Sequence, residues 1–135
     1  MKEQYPDLEH TLETDTQYGK AKDFNNIESK DIISMGLKNK DPLCMKVVEK
    51  ITENYGTEAG NMGLKCMPYG GIYLIGGLTA GLKDFILNDD TFMNAFKYKG
   101  RMLPLMDDFK VLLVDPKIEM GLLGAEERAR VELFQ

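Results

Sequence analysis

Tryptophan is absent from this chain, histidine occurs once and cysteine twice, and no apolar run is long. Each shortage excludes something. A helix that spans a bilayer needs about 20 predominantly apolar residues, and no segment approaches that length. Met1-Lys2-Glu3-Gln4-Tyr5-Pro6 lacks the apolar centre of a secretory signal. Glu132-Leu133-Phe134-Gln135 is not a peroxisomal tripeptide. The expected location is therefore cytoplasmic. Basic clusters are missing as well, and a formal charge of −5 argues against nucleic acid as a partner. Cys44 and Cys66 fall within one expected helix. At ~1.5 Å rise per residue they lie roughly 33 Å apart, against the ~7 Å a disulfide allows. Two isolated cysteines and His10 make a poor metal site. His10 sits among Asp7, Glu9 and Glu13, where it reads as a solvated surface residue.

Two phosphate-binding signatures are also missing. Reading from Gly76, the dinucleotide fingerprint fails because Leu78 stands where its second glycine is required. The spacing from Gly76 to Gly81 opens like a Walker loop, but Leu82 follows and Lys83 comes one place late.

The remainder suits one domain. The 135 residues are 43% hydrophobic and 29% charged, enough for a modest core. The chain is organised around residues 68–79. Pro68 and Gly70-Gly71 end what precedes them, and Ile72-Tyr73-Leu74-Ile75 reads as a strand buried on both faces. Gly76-Gly77 follows at its carboxyl end, where open α/β sheets bind ligands. Thr79 is placed to cap a helix through Leu87. Strand, paired glycines and helix start expose backbone N–H groups with no Cβ in the way, which suits a phosphate or ribose. A tight turn with no ligand has the same local pattern.

Residues 1–28 form a poorly patterned polar segment. Pro6 can start a short helix through Leu12, and Thr14 to Asn26 reads as a surface excursion anchored by Tyr18, Ala21 and Phe24. Ser29 suits the N-cap of a helix from Lys30 to about Leu37, which Gly36 and Asn39 loosen. Asp41-Pro42 is a stronger start signal, for a helix to about Met67. Its apolar stripe comprises Cys44, Val47, Val48, Ile51, Tyr55, Ala59, Met62 and Cys66. Gly56, Gly60 and Gly63 lie beside that stripe. Three such glycines would melt an isolated helix, so they require either close approach of another element or a kink.

Downstream, Asn88-Asp89-Asp90 offers a cap for a short helix carrying Phe92, Met93 and Phe96, which Gly100 ends. Val111-Leu112-Leu113-Val114 reads as a second buried strand, stopped by Asp115-Pro116. A last helix runs from about Leu122 to Leu133. Gly121 and Gly124 allow it to pack closely on the sheet or a ligand, and Glu126, Glu127, Arg128 and Arg130 form a solvated face. Asp84, Asp89, Asp90 and Asp115 are best explained as caps, turn formers or solvated charges. The fold class is α/β with parallel strands, flanking helices and a right-handed crossover. Two strands leave apolar edges, so the sheet is expected to pair with another subunit, as in a homodimer, or with strands of a longer polypeptide.

From about Ser29 to Val131 the sequence resembles the C-terminal part of the bacterial-type glucokinases, ATP-dependent hexose kinases of the actin-like ATPase superfamily, whereas residues 1–28 match poorly. The resemblance is carried by Lys30-Asp31-Ile32, by Gly56, Gly60 and Asn61, and by residues 70–77. It continues through Phe96-Lys97-Tyr98-Lys99-Gly100-Arg101 and Gly121-Leu122-Leu123-Gly124-Ala125, in the family's order and about its spacing. It implies that residues 29–135 form part of the ribonuclease H-like large lobe and that Gly76 and Gly77 belong to the adenosine motif. It also implies that the helix from Gly121 is a connecting helix between hinging lobes. ATP, glucose and Mg²⁺ are the implied ligands of the complete enzyme. The sugar site, catalytic aspartate and phosphate loops belong to the family's N-terminal portion and match nothing here, so no catalytic or metal residue is assigned. The segment Asp115 to Met120 is longer than the family's usual turn, leaving its part in nucleotide contact open. Two other readings share this pattern: a non-catalytic adaptor or regulatory module that kept the large-lobe fold, or another sugar kinase of the superfamily.

Overall fold

The computed structural model describes residues 28–39 and 41–133. The expectations for His10, for a helix from Pro6 and for the polar stretch to Asn26 lie outside these residues. Among the described residues the order is α1 (Ser29–Asn39), α2 (Pro42–Cys66), β1 (Ile72–Leu74), α3 (Gly77–Asn88), α4 (Thr91–Lys97), α5 (Leu103–Met106), β2 (Val111–Leu113) and α6 (Met120–Leu133). A 3₁₀ turn, Gly100–Met102, precedes α5. The result is helix-rich, with a two-stranded parallel sheet in the register Ile72↔Val111, Tyr73↔Leu112, Leu74↔Leu113. The ladder is closed by Ile72 N–H donating to the Lys110 carbonyl at 2.8 Å and Val114 N–H to the Leu74 carbonyl at 3.1 Å.

The Asp41-Pro42 signal acts as its chemistry predicts. Asp41 is extended, its Oδ1 accepts the Cys44 N–H at 2.8 Å, and Pro42 occupies the first turn. Met67 ends α2 in the left-handed region, donating its N–H to the Gly63 carbonyl at 2.9 Å. The start of α1 differs from expectation. Ser29 is already helical; Glu28 precedes it, and the Asp31 carboxylate reaches back to accept the Glu28 N–H at 3.2 Å. Asp31 thus supplies the return half of a capping box without the hydroxyl half. Gly36 does not loosen α1. It lies buried where a Cβ would come within 3.0 Å of the Cys44 carbonyl group, so it allows α1 to rest on the first turn of α2.

The glycines of α2 resolve in favour of close approach. A Cβ on Gly56 would collide with the carbonyl oxygen of Phe92, and one on Gly60 with that of Phe96. A Cβ on Gly63 would only reach ordinary contact with the side chains of Ile72, Met106 and Phe109. The C-terminal half of α2 therefore meets α4 through its glycine side. Met62 and Cys66, expected in the apolar stripe, are exposed for the same reason. Val48, Leu82, Phe92, Phe96 and Met106 form the fully buried centre of the core. Phe92 and Phe96 stack on each other, and Tyr55 meets Phe92 edge-on at a centroid distance of 5.6 Å.

Other local expectations shift. α4 ends at Lys97, before Gly100, which adopts φ 55° and begins the 3₁₀ turn instead. Of the cluster Asn88-Asp89-Asp90, Asp89 makes the useful bond, its Oδ1 accepting the Thr91 N–H at 2.8 Å. The strands are not buried on both faces. Leu74 is buried, but Tyr73 is 61% and Leu112 39% exposed, because the helices here cover one face. α6 starts at Met120 and has no buried residue; nothing lies within 4 Å of a Cβ built on Gly121 or Gly124. Close packing of those glycines on the sheet is thus not found. Arg130 and Arg128 instead pair along the helix with Glu127 and Glu132.

Candidate nucleotide site

Parallel strands leave their carboxyl ends on one side, and the chain must turn there to enter each following helix. β1 makes this turn through Gly76, which has φ 103° and ψ 173°, a conformation that burdens any residue with a Cβ. Gly76 is also the N-cap of α3 and offers no side-chain cap. Its carbonyl accepts the Ala80 N–H at 3.0 Å, which leaves the N–H groups of the first turn without intrahelical partners. Gly77 is the first residue of α3 and is not in the left-handed region. A Cβ on either glycine would enter open space, with nothing within 4 Å.

That open space is shaped by two cavities. One, of about 320 Å³, lies between the carboxyl ends of the strands and is lined by Ile75, Gly76, Gly77, Ala80, Val114 and Asp115, with the residues that follow. The segment after β2 is thereby brought against the paired glycines. Asp115 shapes it as an Asx turn, its Oδ1 accepting the Lys117 N–H at 3.0 Å while its carbonyl accepts from Ile118 at 2.9 Å. The other, a groove of about 1120 Å³, runs between α1 and α3. Ile33, Leu37, Leu78 and Phe85 give it an apolar lining, and Lys30, Asp84 and Asn88 are among its polar residues. Gly77 lines both cavities. Lys30, on the groove, is held above the usual lysine range by its hydrogen bond and charge interaction with Glu28, 2.7 Å away. It is a fixed cation at neutral pH.

Thr79, expected to cap α3, lies inside its first turn. Its buried hydroxyl donates to the Ile75 carbonyl at 3.1 Å and meets the Tyr55 hydroxyl at 2.7 Å. The contact with Tyr55 carries no local signal in the sequence, since Tyr55 comes from α2, 24 positions earlier. The α1 side of the groove was missed too, because the pairing of α1 with α3 carries no local signal. The remaining polar candidates stay apart: among the described residues no group of three or more His, Cys, Asp or Glu could hold a metal ion. No described helix is long and apolar enough to cross a membrane.

Parallel strands, a bare-glycine entry to α3 and cavities at the strand ends define an α/β segment compatible with a lobe of the actin-like ATPase type. The family model described as Glucokinase matches residues 7–132, and the chain belongs to the glucokinase family. It is similar to a glucokinase of Nostoc punctiforme, with 33% identity over 89% of this chain and 35% of that protein. A glucokinase of Marinobacter nauticus is 42% identical over 64% of this chain and 26% of its own length, and one of Trichormus variabilis is 38% identical over 63% and 24%. The chain thus spans about a third or less of the curated relatives it matches. No solved structure matches it.

Proposed function

We propose that these residues form the C-terminal, nucleotide-facing portion of an ATP-dependent glucokinase, which converts ATP and glucose to ADP and glucose 6-phosphate. The observation that carries this reading is Gly77. Its backbone angle does not require glycine and no neighbour forbids a Cβ, yet it lies bare between two cavities at the strand ends. A nucleoside packed against that backbone supplies the missing reason. The apolar groove between α1 and α3 suits a flat base, and the unpaired N–H groups of the first turn suit oxygen acceptors. The fit extends to the nucleotide alone. Mg²⁺, which the family likeness implies alongside the phosphates of ATP, has no ligand set among the described residues, and none is assigned to it.

In the complete enzyme the γ-phosphoryl group passes in line to the glucose 6-hydroxyl, with an aspartate accepting the hydroxyl proton. The residues here orient the nucleotide and wall off water; no base or sugar site is proposed among them. The exposed sheet face around Tyr73 and Leu112 is where the rest of the kinase polypeptide packs, since the relatives it matches are about two and a half times as long as this chain. The decisive test is Gly77→Ala in the full-length polypeptide that contains these residues. ATP affinity should weaken on calorimetric titration while glucose affinity and thermal midpoint hold. Unchanged ATP affinity of the folded variant would remove the glycine pair from the nucleotide site and favour a non-catalytic module.

A further inference from the structure

We infer that Tyr55 and Thr79 form a clamp that positions the Gly76-Gly77 turn for the nucleotide, so that Tyr55 on α2 governs ATP affinity without touching ATP. The inference rests on the nucleotide reading of the glycine pair. Its physical basis is the direction of two hydrogen bonds. The Ile75 carbonyl can only accept, so the Thr79 hydroxyl proton is committed to it at 3.1 Å. Thr79 Oγ1 must then accept from Tyr55, whose hydroxyl is the donor at 2.7 Å. The result is a directed chain, Tyr55 to Thr79 to Ile75, that joins α2, α3 and the end of β1.

Ile75 and Thr79 lie on either side of the glycine pair. The Thr79–Ile75 bond therefore closes a short loop around the two residues with the least intrinsic preference for one conformation. Without it, Gly76 and Gly77 have no side chains to hold the turn, and no neighbour lies within 4 Å of their Cβ positions. Thr79 is 3% exposed, so water does not replace the contact once it is lost. Tyr55 is itself fixed: its ring meets Phe92 edge-on, and the adjacent Gly56 locks α2 against the backbone of α4. The rigid core thus sets the geometry of the bare backbone.

Tyr55→Phe tests this in the full-length polypeptide, because it keeps the ring and removes only the hydroxyl. Thr79→Val removes the second hydroxyl at nearly constant shape, and Thr79→Ser restores it. ATP and glucose are titrated separately against each variant by calorimetry, with Gly77→Ala in parallel. Tyr55→Phe and Thr79→Val should each raise the dissociation constant for ATP about three- to tenfold, the equivalent of one hydrogen bond. Glucose affinity should remain at wild type, and Thr79→Ser should bind ATP normally. Wild-type ATP affinity in folded Tyr55→Phe overturns the clamp. If Gly77→Ala still weakens ATP in that case, the nucleotide site stands and only the clamp falls; if it is neutral too, the site itself falls. Equal weakening of ATP and glucose by Tyr55→Phe would also overturn the clamp, since it would mark a general loss of structure.

Discussion

Replacing Gly60 by valine measures how much of this fold depends on α2 and α4 touching through bare backbone. Helix propensity alone favours the change slightly, by less than about 1 kcal/mol. The surroundings do not. A Cβ at position 60 would overlap the Phe96 carbonyl oxygen and come within 2.6 Å of Lys99 Cε. Backbone cannot give way as a side-chain end can, so α4 must move from α2, and overpacking of this kind costs about 1–3 kcal/mol. Lys99 must also swing aside, putting at risk the bond from its Nζ to the Thr57 carbonyl at 2.9 Å. That contact is half-buried and adds about 1 kcal/mol. The net loss is about 1–3 kcal/mol, which lowers the urea midpoint by roughly 1 M at an ordinary slope. Urea unfolding followed by far-ultraviolet circular dichroism is the assay. Gly124→Ala is the control, since α6 meets nothing at that position and should gain helix content. An unchanged or raised midpoint in Gly60→Val would refute the close contact.

Gly76→Ala should destabilise by about 1 kcal/mol or more through its positive φ, whereas Gly77→Ala should leave the thermal midpoint unchanged or slightly higher; equal losses at both would contradict the turn geometry. Cys66 is exposed and should react with a thiol reagent in the folded protein, while Cys44 should stay protected. Burial, with the Asp41 charge and hydrogen bond, pushes the Cys44 thiol up to about 12 from 9.0. Because the folded state holds this proton more tightly, its contribution is complete below about pH 9 and is lost as pH rises from 9.0 toward about 12. Cys44→Ala should flatten that part of a stability-against-pH curve, and an undiminished slope would assign it elsewhere. The chain alone should not phosphorylate glucose in a coupled assay; turnover abolished by a substitution within these residues would show that it contains a complete site.

Much of the architecture is legible residue by residue because its signals are local. Asp41-Pro42 starts α2 through a carboxylate three residues from the N–H it accepts, and Pro68 with Gly70-Gly71 separates α2 from β1 whatever surrounds them. The two apolar runs become parallel strands because the intervening helices leave room only for a crossover. Gly76 and Gly77 stand out on chemistry alone, as paired glycines at the end of a strand.

What depends on partners distant in sequence was decided by tertiary structure. Periodicity placed Met62 and Cys66 on the buried side of α2, but the side that α4 can approach most closely is the glycine side, where backbone meets backbone. Thr79 has the composition of a cap but bridges two helices instead, because Tyr55 arrives from α2 to place its hydroxyl 2.7 Å from that of Thr79. The strands read as doubly buried since hydrophobicity records what a residue prefers to meet; the exposure of Tyr73 and Leu112 depends on which layers these residues fold beside. The sequence alone determined the segments, their order and the glycine pair. Packing alone decided that Gly76 carries the strained angle and Gly77 the bare wall between two cavities, because backbone angle and free space belong to the assembled fold and not to the residue.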